Sequence, residues 1–239
     1  TLFLEETARE NRLTLNTLVQ GAWAMLLKAH TGKEDVLFGV TVSGRPPELL
    51  GVEQAIGLFI NTVPARVSLA HETSGLEWLQ DLQSEQRKRE QFGYGKLMDL
   101  QAFTEVPAGT PLFESLLVFE NYPISLEEAL AGTESEFQLT EREGYERTNY
   151  PLTVVVIPGE TLQVSFRYER EAFSEDFIER LFTQLKRGMS ALLEGPCEEL
   201  GKIWSLPEDE AMRLSQMGNG ERAEPEAATS LELFRREAE

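Results

Sequence analysis

The chain has 239 residues, enough for one large domain, or an ordinary domain with attachments, and for a substantial buried core. Its 41% apolar and 26% charged residues are an ordinary soluble composition, and a net charge of −19 argues against nucleic acid and anionic membrane surfaces as partners, because such a surface repels phosphates. A single cysteine, Cys197, excludes an intramolecular disulfide and argues against a cysteine-based zinc site, so the expected compartment is the reducing cytoplasm.

No apolar run approaches the length of a membrane span. The opening Thr1-Leu2-Phe3-Leu4-Glu5 carries no initiator Met and does not read as a signal peptide, which leads us to expect a piece of something longer.

Residues 7 to 30 read as a helix. Leu15, Leu18, Val19, Ala22, Leu26 and Ala29 recur at helical spacing, Thr14 is a candidate cap and Gly32 lies just past the end. Trp23 and Met25 widen the apolar face, so burial is expected. The run from Asp35 to Val42 is nearly continuously apolar and reads as an interior strand, broken by Ser43-Gly44-Arg45-Pro46-Pro47. Ile56 to Val63 reads as a second strand whose pairing Pro64 limits.

Residues 73 to 92 read as a helix with a Leu76, Leu79, Leu82 stripe and a polar, solvent-facing second half. Phe113 to Glu120 and Leu152 to Ile157 read as strands. Pro158-Gly159-Glu160 turns the chain, and in the return strand Leu162, Val164, Phe166 and Tyr168 alternate with polar residues, as in a hairpin with one wet face. Residues 174 to 194 form the last clear helix, capped by Ser174 and stopped by Gly195-Pro196. Gly218 to Thr229 reads as a linker, and Ser230 opens a new amphipathic segment. Long helices between strands, with at least one hairpin, make an α/β sandwich with a mixed sheet.

The residues offer no self-contained catalytic constellation. His30 suits a helix C-terminus, where an imidazole complements the dipole, and His71 sits in a polar segment. The two are not spaced as metal ligands on one face. No Gly-x-Ser-x-Gly elbow or phosphate-binding Gly-rich loop is present, and in a chain with 41 acids the carboxylate pairs read as solvated surface.

One segment does carry a specific signal. Ile56, Gly57, Phe59, Ile60, Asn61, Thr62 and Arg66 stand in the frame of a signature that resembles nonribosomal peptide synthetase condensation domains, I/V-G-x-F-V/I-N-T-x-x-x-R. A buried strand explains the apolar members but not Gly57, Asn61, Thr62 and Arg66 together. Val36 to Gly39 with Gly44-Arg45 is similar to the preceding strand and turn of that family. Leu112 to Pro123 is similar to a later family strand. Arg147-Thr148-Asn149-Tyr150-Pro151-Leu152 resembles its Arg-Asn-x-Pro-Leu motif with one inserted Thr.

The resemblance covers roughly residues 1 to 206. It implies the C-terminal half of a condensation domain, a two-layer mixed-sheet sandwich similar to chloramphenicol acetyltransferase. From Leu206 the chain resembles the junction to an adenylation domain, with 207–229 as linker and 230–239 as that domain's start; Asn219 matches the junction's usual Asn.

The implied activity is peptide-bond formation between thioesters carried on phosphopantetheine arms. The implied partners are the N-terminal condensation subdomain, donor and acceptor carrier proteins and the downstream adenylation domain. The family's His-His-x-x-x-Asp-Gly motif is absent from these residues and is expected N-terminal to Thr1, so no residue here is assigned a catalytic role. Asn61, Arg66 and Asn149 are the implied supports near the site, and Ser43, Gly44 and Arg45 are candidates for the tunnel or acceptor side; no metal or resident cofactor is implied.

The alternative is a catalytically inactive, condensation-like domain that recruits a trans-acting enzyme or carrier protein. An epimerization domain is disfavoured because Gly57-Leu58-Phe59-Ile60-Asn61-Thr62 stands where that relative carries Gly-Trp-Phe-Thr. A generic acyltransferase of the same fold leaves the adenylation-like tail unexplained.

Overall fold

The computed structural model describes residues 2–45, 50–69, 73–107, 109–120, 148–203 and residue 212. The chain divides into two compact units, Thr1–Trp204 and Ser205–Glu239. The expected linker, residue 212 excepted, the adenylation-domain start and His71 lie outside the described residues.

The N-terminal segment forms two helices rather than the single one expected from 7 to 30. Helix α1 spans Leu2–Glu10 and α2 spans Leu15–Thr31. Arg12 takes a left-handed φ of 58°, which no helix accommodates, and the Asn11 amide donates back to the Thr7 carbonyl at 2.8 Å to satisfy the end of α1. Thr14 then caps α2 by accepting from the Thr17 N–H, and Gly32 closes it at φ 69°.

Strand β1 (Asp35–Val42) follows, then β2 (Asn61–Ser68), helices α3 (Gly75–Glu90) and α4 (Leu97–Gln101), strand β3 (Ser115–Phe119), the hairpin β4 (Leu152–Ile157) and β5 (Gln163–Tyr168), and helices α5 (Glu175–Glu194) and α6 (Leu200–Ile203). The five strands make one mixed sheet in the order β2-β1-β3-β4-β5. β1, β3 and β4 run parallel, and β2 and β5 pair antiparallel at the two edges.

The second strand starts later than expected. Its alternation is Val63, Ala65, Val67, all buried, and it pairs Val42 with Asn61 through Asp35 with Ser68. Ile56 and Leu58, read as strand interior, are instead fully exposed outside the sheet. Pro64 is tolerated because an edge strand is hydrogen bonded on one side only.

The helices pack on one face of the sheet. Every second residue of each strand points into this layer: Phe38 and Val40, Leu117, Val154 and Val156 meet Trp23, Leu26, Leu181, Leu185 and Leu192 in one continuous core. Val164, Phe166 and Tyr168 close its β5 side, as the alternation predicts. Helix α3 lies close against α2: a Cβ on Gly21 would stand 2.6 Å from a Leu79 methyl. The Trp78 indole donates to the Ser68 carbonyl at 2.8 Å, tying α3 to the end of β2.

Leu185 of α5 is 1% exposed within the core that α5 shares with α2. Truncating it, Leu185→Ala, is expected to lower the unfolding free energy by about 2–5 kcal/mol. Urea denaturation monitored by circular dichroism measures this.

Candidate functional site

Parallel pairing brings the carboxyl ends of β1, β3 and β4 to one edge, where ligand clefts of open α/β sheets lie. A cleft of about 980 Å³ opens there. Its floor is the end of β1 running into Ser43, Gly44 and Arg45, with Phe119 of β3 and Pro158 after β4 beside it. One wall is the start of α2, with Thr14, Asn16 and Gln20; the other is the end of α3 and the following turn, from Gln86 to Tyr94.

The floor is fixed by an unusual approach of two backbones. Gly44 has φ 59°, and a Cβ there would lie 1.9 Å from the Phe59 carbonyl oxygen, so no other residue fits without displacing the chain. Arg45 reaches across the same gap. Its guanidinium donates to the carbonyl oxygens of Val52 and Ala55 and lies 4.1 Å from the centre of the Phe59 ring. Residues 52–59 are thereby held beside the cleft with Ile56 and Leu58 facing out.

Asn61 stands where β2 begins, opposite Val42. Its side-chain amide donates to the carbonyls of Gly93 and Gly95, each at 2.8 Å, while its Oδ1 accepts from the Thr62 N–H at 2.9 Å. Both amide protons are therefore committed to holding the turn after α3, which carries the cleft residues Gly93 and Tyr94. Asn61 is a clamp for that turn.

Of the residues the sequence singles out, Ser43, Arg45 and Asn61 come together at this edge. Arg66 and Asn149 lie at the other end of the strands. Arg66 is five residues along β2 from Asn61, about 17 Å at strand rise. It forms an exposed bidentate pair with Asp35, at 2.6 to 3.0 Å. Asn149 is exposed just before β4, next to Tyr150, whose ring stacks on Phe113 at 5.2 Å and whose phenol pKa is raised by burial.

His30 is in the last turn of α2, where its Nε2 meets the Gln184 Oε1 at 2.8 Å and its ring packs edge-on to Phe177; it does not line the cleft. Among the described residues no cluster of His, Cys, Asp and Glu is suited to a metal ion, and no helix is long and apolar enough to cross a membrane.

Sequence reasoning missed the helical walls. The end of α3, read as solvent-facing, presents Gln86 and Arg89 to the cleft, and α2 presents Asn16 and Gln20. Gln20 is 2% exposed, yet it is polar, and a polar residue inside the apolar stripe of α2 was the signal available.

Two outcomes are expected at the floor. Gly44→Ala forces a Cβ into left-handed backbone against the Phe59 carbonyl, costing about 1–3 kcal/mol of stability in urea denaturation. Asn61→Asp keeps the acceptor for Thr62 but loses both donors, so hydrogen exchange at residues 91–96 should accelerate while exchange in β4 is unchanged.

A third outcome concerns pH. The Arg66 hydrogen bonds hold the Asp35 carboxyl below its ordinary pKa. The pair's contribution is therefore present above that ordinary value and lost as pH falls through the lowered one. Because the pair is exposed, the difference in melting temperature between wild type and Arg66→Gln should be small, and should vanish on acidification or in high salt.

Comparison with known proteins agrees with this architecture. The family model described as Condensation domain matches residues 1–215. The chain is 41% identical to a linear gramicidin synthase polypeptide of Brevibacillus parabrevis over 211 residues, 88% of this chain and 4% of that protein. In fold it is similar to the crystal structure of holo T3CT, with a TM-score of 0.69 at 23% identity over 78% of this chain and 43% of that one. It is also similar to the first condensation domain of the calcium-dependent antibiotic synthetase in complex with a substrate analogue, with a TM-score of 0.64 at 17% identity over 85% of this chain and 44% of that one. It thus spans less than half of the solved chains and a few per cent of the synthase. With a fitting α/β fold and a family model covering the whole of the first compact unit, this chain belongs to the condensation domain family of nonribosomal peptide synthetases.

Proposed function

We propose that this chain is the C-terminal half of a condensation domain and supplies one wall of the channel in which a peptide bond forms between two carrier-bound thioesters. The observation that carries this reading is the cleft at the carboxyl ends of β1, β3 and β4, bordered by an outward-facing apolar segment. Ile56 and Leu58 are fully exposed and Ile60 is more than half exposed, all within the motif that marks the family. Exposed apolar side chains held on a pinned backbone fit a docking face. The occupant is the N-terminal subdomain, since the chain spans under half of the solved relatives.

In the reaction, the acceptor amine attacks the donor thioester carbon. A C–N bond forms, the C–S bond breaks, and the amine proton passes to the departing pantetheine thiolate. The phosphopantetheine arms of the two carrier proteins bring the reactants. This half contributes placement: it holds chain ends in register and excludes water from one side, which lowers the entropic cost of the encounter. Arg45 and Asn61 support the channel wall through the contacts described above, Ser43 lies on its floor, and Arg66 and Asn149 stand at the far ends of the strands. The histidine motif of the family belongs to the other half, and an adenylation domain follows downstream. Residues 207–229 serve as the linker to it and 230–239 as its start. Cytoplasmic residence follows from the same reading.

Incubating the 239-residue chain with loaded donor and acceptor carrier proteins should give no dipeptidyl thioester by mass spectrometry, and adding the N-terminal subdomain should restore it. Product from this chain alone would defeat the assignment of chemistry to the other half. A silent reconstituted domain that still binds a carrier protein would favour the recruitment reading.

A further inference from the structure

Arg89 is a part-buried cation with which no carboxylate pairs among the described residues. It sits one residue before the end of α3, on the wall of the cleft. Its Nη2 donates to the Gln20 Oε1 at 3.0 Å, and Gln20 is itself oriented by donating from Nε2 to the Asn16 Oδ1 at 3.0 Å. The Nε of Arg89 is shielded from solvent and makes no hydrogen bond among the described residues. The two acids that act on its charge are engaged elsewhere: Glu90 accepts from Gln86 at 3.2 Å and Glu85 from Lys88 at 2.7 Å.

A structural arginine with its Nε at such depth ordinarily comes with a carboxylate, because one neutral amide oxygen does not offset the loss of water around a full charge. Burial accordingly lowers the Arg89 pKa, against the pull of Glu90 and Glu85. The cleft also inverts the sign of the protein: three arginines, Arg45, Arg87 and Arg89, face two glutamates, Glu5 and Glu90, in a chain of net charge −19. A positive cleft in an acidic protein draws anions to one place.

We propose that Arg89, aimed by Gln20, is an anion anchor: it binds an oxyanion, phosphate or carboxylate, carried into the cleft by the ligand. The guanidinium fork has donors to spare and matches either oxyanion geometrically. The source is either the phosphate of a pantetheine arm or a carboxylate of the acyl chain. The choice between them rests on the channel reading above, whereas the anion site does not.

The test uses the 239-residue chain. Inorganic phosphate is titrated while the arginine Nε–H resonances are followed by NMR, the shielded Nε of Arg89 being the reporter. A saturable shift of that resonance is expected. Arg89→Gln should weaken phosphate binding, measured by calorimetry, at least about tenfold, and Arg87→Gln by less than about threefold. No saturable response in wild type, or equal binding by Arg89→Gln, overturns the proposal.

Wild type decides the matter even if the variant misfolds. Tighter binding of 4′-phosphopantetheine than of pantetheine assigns the anion to the carrier arm. Equal binding of those two, with competition by acetate, assigns it to the acyl chain. Anion binding with no dipeptide from the reconstituted domain would fail the condensation reading and leave this one standing.

Discussion

Strand β1 is paired on both sides, antiparallel to β2 and parallel to β3, and most of the cleft follows from that constraint. A parallel neighbour forces the carboxyl ends of β1, β3 and β4 to the same edge. The antiparallel partner returns the chain to that edge as well, so that Asn61 begins β2 opposite Val42. The floor, the clamp residue and the entry to the next loop therefore converge without any of them being near one another in sequence.

Two kinds of fastening then hold the converging loops. Gly44 leaves room for the Phe59 carbonyl, and Arg45 ties together carbonyls at Val52 and Ala55. Asn61 spends both amide protons on Gly93 and Gly95. Arg45 adds a second donor to the Val52 carbonyl and satisfies that of Ala55, and Asn61 satisfies those of Gly93 and Gly95, which is how irregular backbone is kept in one shape beside a site. The same fastening exposes Ile56 and Leu58, so rigidity of the floor and presentation of an apolar face have a single cause.

The electrostatics of the cleft run against those of the chain. Carboxylates outnumber cations in the sequence, yet Arg89 packs against a neutral amide and the acids around it are engaged elsewhere. Such an arrangement costs folding free energy that a better-paired arginine would not, and costs of this kind are characteristic of sites kept for a ligand rather than for stability. The exposed Arg66–Asp35 pair is the contrast: bidentate geometry, open solvent access, and little consequence for stability.

What the sequence determined by itself was local or a matter of residue identity. Thr14, Gly32 and Ser174 cap helices through bonds to near neighbours, and the alternation of Val164, Phe166 and Tyr168 tells which side of β5 faces the core. Seven fixed positions from Ile56 to Arg66 point to the family. The tertiary structure decided the rest.

An apolar run from Ile56 to Ile60 has the signature of a buried strand, and the Gly44 and Arg45 contacts keep it out of the sheet. The break at Arg12 has no Gly or Pro to announce it. The hydrophilic end of α3 reads as solvent-exposed until α2 is packed against it and Gln20 meets Arg89. Periodicity records which face of an element is apolar. It does not record which polar face meets another, because that depends on strand direction and helix docking, which here join residues 69 positions apart.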